Sequence, residues 1–357
     1  MPLDATWTEI GGTPLAVEYA LESLASSIKD LAAALTLRRI ARVAVVGSGD
    51  SLVVGLMAAA AFAEFAGRPL EAVQAYEYAA YGHPDFGPDR AVLVVSSSGR
   101  PSPTRDALAR ALAGEAFVIG ISDRAGEDNP FLTRPPFALC PGAAKRGIPT
   151  QSTSATLAVL LRLAVEWGLL LTDGFRCAAA ASELRRIPKR LSVILGAHAE
   201  TAEALGWALP SWRRIHIVGA GPNVGTAQTA ALLFGAGPGL AALPHEVEEF
   251  HHGLKLASLT RDDLVLVLAP SGSCAEDRLS QTIAAARARS AEVVVLGASR
   301  SGGTVEIPLP RTIEAFSPLL MLPILQQIAL HAGLAVAQDA MQPFRARALP
   351  ATHSMCW

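Results

Sequence analysis

The sequence predicts an α/β protein made of two tandem, doubly wound, parallel-sheet domains of the flavodoxin-like kind. Three observations carry this. Short, all-apolar β-branched runs alternate with Ala/Leu-rich helical stretches along the whole chain. Strands that read as continuous apolar runs are those of a parallel sheet covered by helices on both faces. The pattern also occurs twice in register: Gly47 to Glu77 and Gly219 to Glu249 are the same distance apart.

In chain order, Arg42–Val46 (R-V-A-V-V) predicts a strand that runs into G-S-G-D-S and a helix over Leu52–Ala66. Ala91–Val95 predicts a second strand, followed by S-S-S-G and a helix over Ser102–Leu112. Phe117–Ile121 reads as a third buried strand, and Ser152–Leu171 as a long apolar helix. The second half replays this. Ile215–Val218 meets G-A-G-P-N and the helix Val224–Phe234; Leu264–Leu268 meets P-S-G-S and the helix Ala275–Ala288; Val293–Leu296 follows. The expected domains are 1–185 and 186–357, joined within the Arg-rich stretch near Ala178–Leu191.

The 357 residues are 51% hydrophobic and 17% charged, enough apolar material for two cores. The net charge is −2, with no basic run or aromatic-plus-Arg stripe to follow a phosphate backbone, so nucleic acid is not an expected partner. Cys140, Cys177, Cys274 and Cys356 form no C-x-x-C pair, which argues against a zinc ribbon or disulfide framework and fits a reducing compartment. The N-terminus carries acid where a signal peptide needs base, and Ala-rich stretches such as 56–63 are too short to cross a bilayer. A cytoplasmic protein with no membrane partner is expected.

Ligands of doubly wound sheets bind at the carboxyl ends of the strands. Here those loops are Gly47–Ser51, Ser96–Thr104, Gly219–Asn223 and Pro270–Ser273. S96-S-S-G-R-P-S-P-T104 places small hydroxyls and a glycine between a strand and a helix start, where backbone N–H groups and the helix dipole favour an anion. A phosphate is the expected guest. A plain Ser/Thr helix cap with a tight turn is the competing reading. Asp50 could accept a ligand hydroxyl or cap its helix. A dinucleotide fits less well, because G47-S-G-D-S-L lacks the third glycine of the fingerprint and Pro222 interrupts G219-A-G-P-N-V-G. No P-loop lysine follows either cluster, and no cofactor is expected.

Residues 244–253, P-H-E-V-E-E-F-H-H-G, hold three histidines and three glutamates. On a helix His245, Glu249 and His252 would share one face as a metal triad, although Pro244 suggests that a helix only begins there. A solvated, acidic helix start is the simplest alternative. In a third reading, a carboxylate among Glu246, Glu248 and Glu249, desolvated by Val247 and Phe250, moves protons. His216 reads as a satisfied core histidine; His83 and His353 read as surface residues.

These motifs resemble the sugar isomerase (SIS) family, in particular the isomerase domain of glucosamine-6-phosphate synthase and its stand-alone phosphosugar isomerase and deglycase relatives. The resemblance runs from about Ala16 to Arg347 as two tandem SIS domains. It implies that Ser51, at the end of G-S-G-D-S, and Ser96, Ser97 and Ser98 contact a phosphate. The family's following Ser/Thr is Pro101 here, so Ser102 or Thr104 would replace it. Ser152, in Q-S-T-S-A, would line the sugar.

E249-F-H-H-G253 resembles the family's E-x-x-H-G, which makes His252 the ring-opening histidine, usually supplied by a neighbouring subunit of a homodimer. The family's catalytic glutamate and the lysine before it fall on Ala236 and Leu233. The tail D-A-M-Q-P-F-R-A-R resembles D-x-x-Q-P, but offers Arg345 and Arg347 where the family has a lysine. The resemblance thus implies a phosphorylated sugar or amino sugar as ligand. Isomerisation, deamination or deglycation would use His252 with Glu249 or Glu248. A catalytically silent phosphosugar sensor and a metal-dependent enzyme remain as alternatives. Amination from glutamine is not expected, since no glutaminase segment or Cys after Met1 precedes the domains.

Overall fold

The computed structural model describes residues 3–82, 87–143, 145–172, 174–253, 255–298 and 301–339. They divide into two compact units. One spans 12–188; the other joins 3–11 to 189–339. The division therefore falls at residue 188 rather than 185, and the first residues of the N-terminal helix are counted with the second unit.

The first unit is built on a parallel five-stranded sheet: β1 (Arg42–Gly47), β2 (Leu70–Gln74), β3 (Arg90–Val95), β4 (Phe117–Ile121) and β5 (Phe137–Leu139), ordered β2-β1-β3-β4-β5. The second unit repeats it with β6 (Arg214–Gly219), β7 (Ala242–Glu246), β8 (Asp263–Ala269), β9 (Glu292–Gly297) and β10 (Val305–Pro308), ordered β10-β9-β8-β6-β7. Read from the second strand of each unit, the two orders are identical and flavodoxin-like. The order reverses between β1 and β3, and between β6 and β8, and a ligand crevice opens at such a reversal.

The six strands expected from continuous apolar runs are all present. The four that gave no such signal, β2, β5, β7 and β10, are the edge strands. An edge strand is covered less completely, so it needs no continuous apolar run, and it tolerates proline because one side of its backbone is unpaired. Pro244 in β7 and Pro308 in β10 sit in such positions.

The interior strands are the core. Every residue of β3 and β8 is buried, and each apolar side chain so placed contributes roughly 1.5–3 kcal/mol. Register in the second sheet is reinforced where Arg214 pairs with Asp263. The guanidinium donates from Nε to Oδ1 (2.7 Å) and from Nη2 to Oδ2 (2.6 Å) of a fully buried carboxylate. That bidentate bond holds Asp263 down at about 2.

The helices follow the expected spans within one to two residues, for example Gln151–Leu171 and Asn223–Ala236. The first core helix runs Asp50–Ala61 and finishes in a π-helical turn, Phe62–Ala66. Two segments, Gln151–Leu171 and Glu314–Ala337, are long and apolar enough to cross a membrane by length and composition, but most of each is buried within the protein. Gln151–Leu171 packs on the helices Ala25–Leu37 and Asp50–Ala61 of its own unit.

Candidate functional site

The carboxyl end of the first sheet is built by tight strand-to-helix turns. A Cβ on Gly47 would lie 2.5 Å from the Ser51 carbonyl oxygen, so only glycine lets β1 turn straight into its helix. The second unit repeats the device: a Cβ on Gly219 would lie 2.2 Å from the Asn223 carbonyl oxygen. The β1 turn presents Ser48, Asp50 and the buried Ser51, and Gln74 at the end of β2 donates to the Ser48 hydroxyl (3.3 Å).

After β3 the chain turns through Ser96–Gly99, with Gly99 at φ 65°. The three serines have different roles. The Ser96 hydroxyl accepts from the Gly99 N–H (3.1 Å) and closes the turn. The Ser98 hydroxyl accepts from the Arg100 N–H (3.3 Å). The Ser97 hydroxyl is buried and has no hydrogen-bond partner. From behind, Asp123 N–H, Arg124 N–H (both 3.2 Å) and the Ser122 hydroxyl (3.2 Å) donate to the Ser97 carbonyl, while Arg124 Nε donates to the Ser98 carbonyl (2.9 Å). Asn129, fully buried, donates to the Ser122 hydroxyl and the Arg124 carbonyl (2.9 and 2.6 Å). The loop is therefore held through its Ser97 and Ser98 carbonyls, while the Ser97 hydroxyl is left without a partner. Ser102 is exposed at the helix start and Thr104 is buried one turn in.

The helix Gln151–Leu171 enters the same end of the sheet. Thr153 donates to Asp50 Oδ2 (3.3 Å), and Lys145 Nζ lies 3.9 Å from Asp50 Oδ1. Ser152 and Ser154 are buried with unpartnered hydroxyls. Asp50 thus faces a hydroxyl and an ammonium here, rather than acting as an isolated cap. Buried polar atoms without partners are uncommon and are reasonable places to look for a bound ligand.

Sequence reasoning missed Asp123, Lys145 and the Ser122–Asn129 brace, which carry no motif and become neighbours only through the sheet. Asp123 is pushed up to about 7, chiefly by burial, with Asp50 adding to the rise. The nearby Ser97 hydroxyl, the Ala143 N–H and Lys145 oppose it. The Ser97 hydroxyl is close enough to ease the carboxylate but makes no well-formed hydrogen bond with it.

In the second unit the equivalent loop is engaged by the chain itself. The Glu314 carboxylate accepts from the Ser273 hydroxyl and from the Cys274 N–H (3.0 Å). The protein's own anion thus occupies the loop after β8 that corresponds to Ser96–Gly99. Asn223, at the start of the β6 helix, is buried and spent on Ser317 and Thr226 (2.9 and 3.1 Å).

The cluster at 244–253 divides into buried and exposed groups. His245 lies on β7, not on a helix, and its ring points inward. His216 Nδ1 and His245 Nε2 are 3.0 Å apart, with ring centroids at 5.2 Å, and Lys255 Nζ is 3.3 Å from His245 Nδ1. A donating Lys255 ammonium requires His245 to carry its proton on Nε2 and give it to His216 Nδ1. His216 then holds its proton on Nε2, a buried atom without a partner. His216 is thus a core histidine, but not a satisfied one. Burial lowers both pKa values, that of His245 to about 4.

The short helix Val247–His252 begins when the Glu246 carboxylate accepts from the Glu248 and Glu249 N–H groups (2.8 and 3.0 Å). Val247 and Phe250 point into the core, while Glu248, Glu249 and His252 are exposed. The expected desolvation of these glutamates by Val247 and Phe250 is therefore absent, because the apolar pair faces the other way. Glu248 pairs with Arg278 (2.6 Å). His251 lies 2.8 Å from the Thr282 hydroxyl, whose proton goes to the Arg278 carbonyl, so His251 Nε2 is the donor. The metal triad fails for the same geometric reason: His245 is buried on a strand, away from exposed Glu249 and His252. Among the described residues no group of three His, Cys, Asp or Glu could hold a metal.

Leu233 is buried and Ala236 ends its helix; neither side chain can transfer a proton. Arg345 and Arg347 lie outside the described residues.

Comparison with known proteins agrees with this architecture. The SIS domain family model matches residues 36–165. A glutamine–fructose-6-phosphate aminotransferase (isomerizing) of Acidithiobacillus ferridurans is 28% identical over 94% of this chain and 56% of its own length. The Bacteroides thetaiotaomicron protein of the same name is 27% identical over 85% of this chain and 50% of its own length. The chain thus spans about half the length of these curated relatives. Among solved structures, the C-terminal domain of glucosamine-fructose-6-phosphate aminotransferase from Francisella tularensis superposes with a TM-score of 0.82 at 17% identity, covering 93% of this chain and 96% of that one. Tagatose-6-phosphate ketose/aldose isomerase from Escherichia coli gives 0.77 at 22% identity, covering 92% of each chain. At such identities the structures show a shared fold. Residues 36–165 belong to the SIS domain family, and each of the chain's two units carries the parallel five-stranded sheet of that fold.

Proposed function

We propose that the chain binds a phosphorylated sugar or amino sugar at the carboxyl end of its first sheet and acts on it by acid/base chemistry. The observation that carries this reading is the Ser96–Gly99 turn. It is braced from behind, lies beside the strand-order reversal, carries the buried, unpartnered Ser97 hydroxyl, and falls within the SIS segment. The phosphate would rest on this turn with Ser51 and Thr104 nearby. The sugar would face Asp50, Lys145 and Ser152. Isomerisation, deamination and deglycation share the need for a ring-opening acid/base and a proton carrier. We assign the first role to His252 and the second to Glu249, since Glu246 is committed to its cap and Glu248 to Arg278. Both assigned side chains are exposed on the single chain. We propose that a second copy in a homodimer brings them to a site.

A second reading, a phosphosugar sensor without turnover, is favoured by the apolar Leu233 and Ala236. Thermal-shift titration with fructose 6-phosphate and glucosamine 6-phosphate, against the free sugars, tests the binding claim. Saturating ligand raises the melting point through linkage. A response to the free sugars alone, or to none of these compounds, sinks it. Turnover assays on His252→Ala and Glu249→Gln then separate enzyme from sensor, because a sensor has no turnover to lose.

A further inference from the structure

The carboxyl end of the first sheet holds more acid than an anion-binding loop calls for. Asp123 follows β4, and its N–H donates to the Ser97 carbonyl (3.2 Å), which pins the residue under the turn. The side chain is buried, only 8% exposed, and its Oδ1 has no hydrogen-bond partner. The adjacent Ser97 hydroxyl is likewise buried and unpartnered. Charged and titratable groups meet Asp123 from each neighbouring element. Asp50 comes from the helix after β1, Lys145 from the segment before the Gln151 helix, and the Cys140 thiol from the end of β5, where it donates to the Asp123 carbonyl (3.7 Å). Arg124 is next in sequence, but its guanidinium is turned to the Ser98 carbonyl and to Asp128 (2.7 Å). One ammonium therefore faces two carboxyls.

Building on the phosphosugar reading, we propose that a phosphate-bearing ligand binds the Ser96–Gly99 turn together with one proton taken up by Asp123, which then acts as a hydrogen-bond donor within the site. A dianion placed on this turn meets like-charge repulsion from an ionised, buried Asp123, and both lie where the dielectric is low. Protonation removes that repulsion. The new O–H can donate to the Ser97 oxygen, which leaves the Ser97 hydroxyl proton for the ligand. The proton comes from solvent and adds to one carboxylate oxygen; no other bond changes. Burial already places this carboxyl near neutrality, at about 7, so the uptake is accessible at ordinary pH.

The test is isothermal titration of the native chain with fructose 6-phosphate and with inorganic phosphate between about pH 7 and pH 9. Each point is measured in two buffers of different ionisation enthalpy. Phosphate monoesters lose their second proton near pH ~6, so above pH 7 fructose 6-phosphate itself contributes little to the proton count. Inorganic phosphate still holds part of its second proton at about pH 7, so its proton count is read only at the alkaline end of the range. About half a proton per ligand is expected at pH 7, rising towards one by pH ~8.5, with affinity weakening about tenfold per pH unit above 7. Asp123→Asn should bind with no uptake and a flat affinity over the range. Binding without buffer dependence, or uptake that persists in Asp123→Asn, overturns the proton coupling and leaves the phosphosugar reading standing. Failure of both probes to bind at every pH overturns that reading and the coupling with it. Should Asp123→Asn not fold, the buffer series on the native chain decides alone.

Discussion

The stacked His216–His245 pair makes the second unit sensitive to acid, and the magnitude follows from its burial. His245 titrates near 6.5 in an unfolded chain and at about 4 in the fold. Between those values the unfolded chain binds the extra proton, so stability rises with pH across the window. It is lost as pH falls from 6.5, and the loss is complete below 4. At pH 5 the linkage amounts to about 2 kcal/mol relative to pH 7.5, a change of about thirtyfold in the opening equilibrium. Hydrogen exchange read on the β6 and β7 peptides, corrected for intrinsic rates, measures that opening directly. It isolates this sheet from Asp123, whose linkage has the opposite sign in the first unit. His245→Phe keeps an aromatic ring against Phe250 and removes the titration. Protection in that variant should be lower at neutral pH, because His216 loses a partner. It should also fall less between about pH 7.5 and pH 5 than in the native chain, the remaining dependence coming from His216, which burial also holds below its ordinary value. Equal pH dependence in the native chain and the variant would refute the reasoning, since His245 would then titrate without cost to the fold.

Three further outcomes are expected. Asp263→Asn should cost roughly 1.5–3 kcal/mol in urea unfolding at pH 7 by weakening the charge-assisted hydrogen bonds to Arg214, whose side chain is partly exposed and so is not stranded as a buried charge. Asp263 is held below its ordinary value, so its contribution is present above pH ~4 and disappears as pH falls through about 2. Glu314→Gln should raise hydrogen exchange across 270–275 and cost roughly 1–3 kcal/mol, because a neutral amide cannot accept from both Ser273 and the Cys274 N–H as a carboxylate does. Ser97→Ala should leave the melting temperature unchanged or slightly raised, since it deletes a buried hydroxyl that has no partner. It should also weaken phosphosugar binding by about tenfold or more. A loss of stability with binding unchanged would mean that Ser97 is a structural residue.

The interior strands, their helices and the repeat were readable in the sequence because burial on both faces demands continuous apolar runs, and such runs are local. The fold class and the Ser96–Gly99 turn follow from that local pattern, as do the glycines at 47 and 219 that let strand become helix. The edge strands were not readable, because a half-covered strand makes no such demand. The cluster at 244–253 shows the limit most clearly. Its composition invited a shared helical face, but β7 pairs with β6 and turns His245 onto His216, a partner 29 residues away in the chain. Asp123, Lys145 and Asp50 likewise belong to three separate segments of the chain, and Glu314 reaches Ser273 across 41 residues. Charge and proton position in a crevice depend on which groups the sheet brings side by side. Sequence determines the layers of this protein; the order of strands within each layer decides which of its ionisable groups meet.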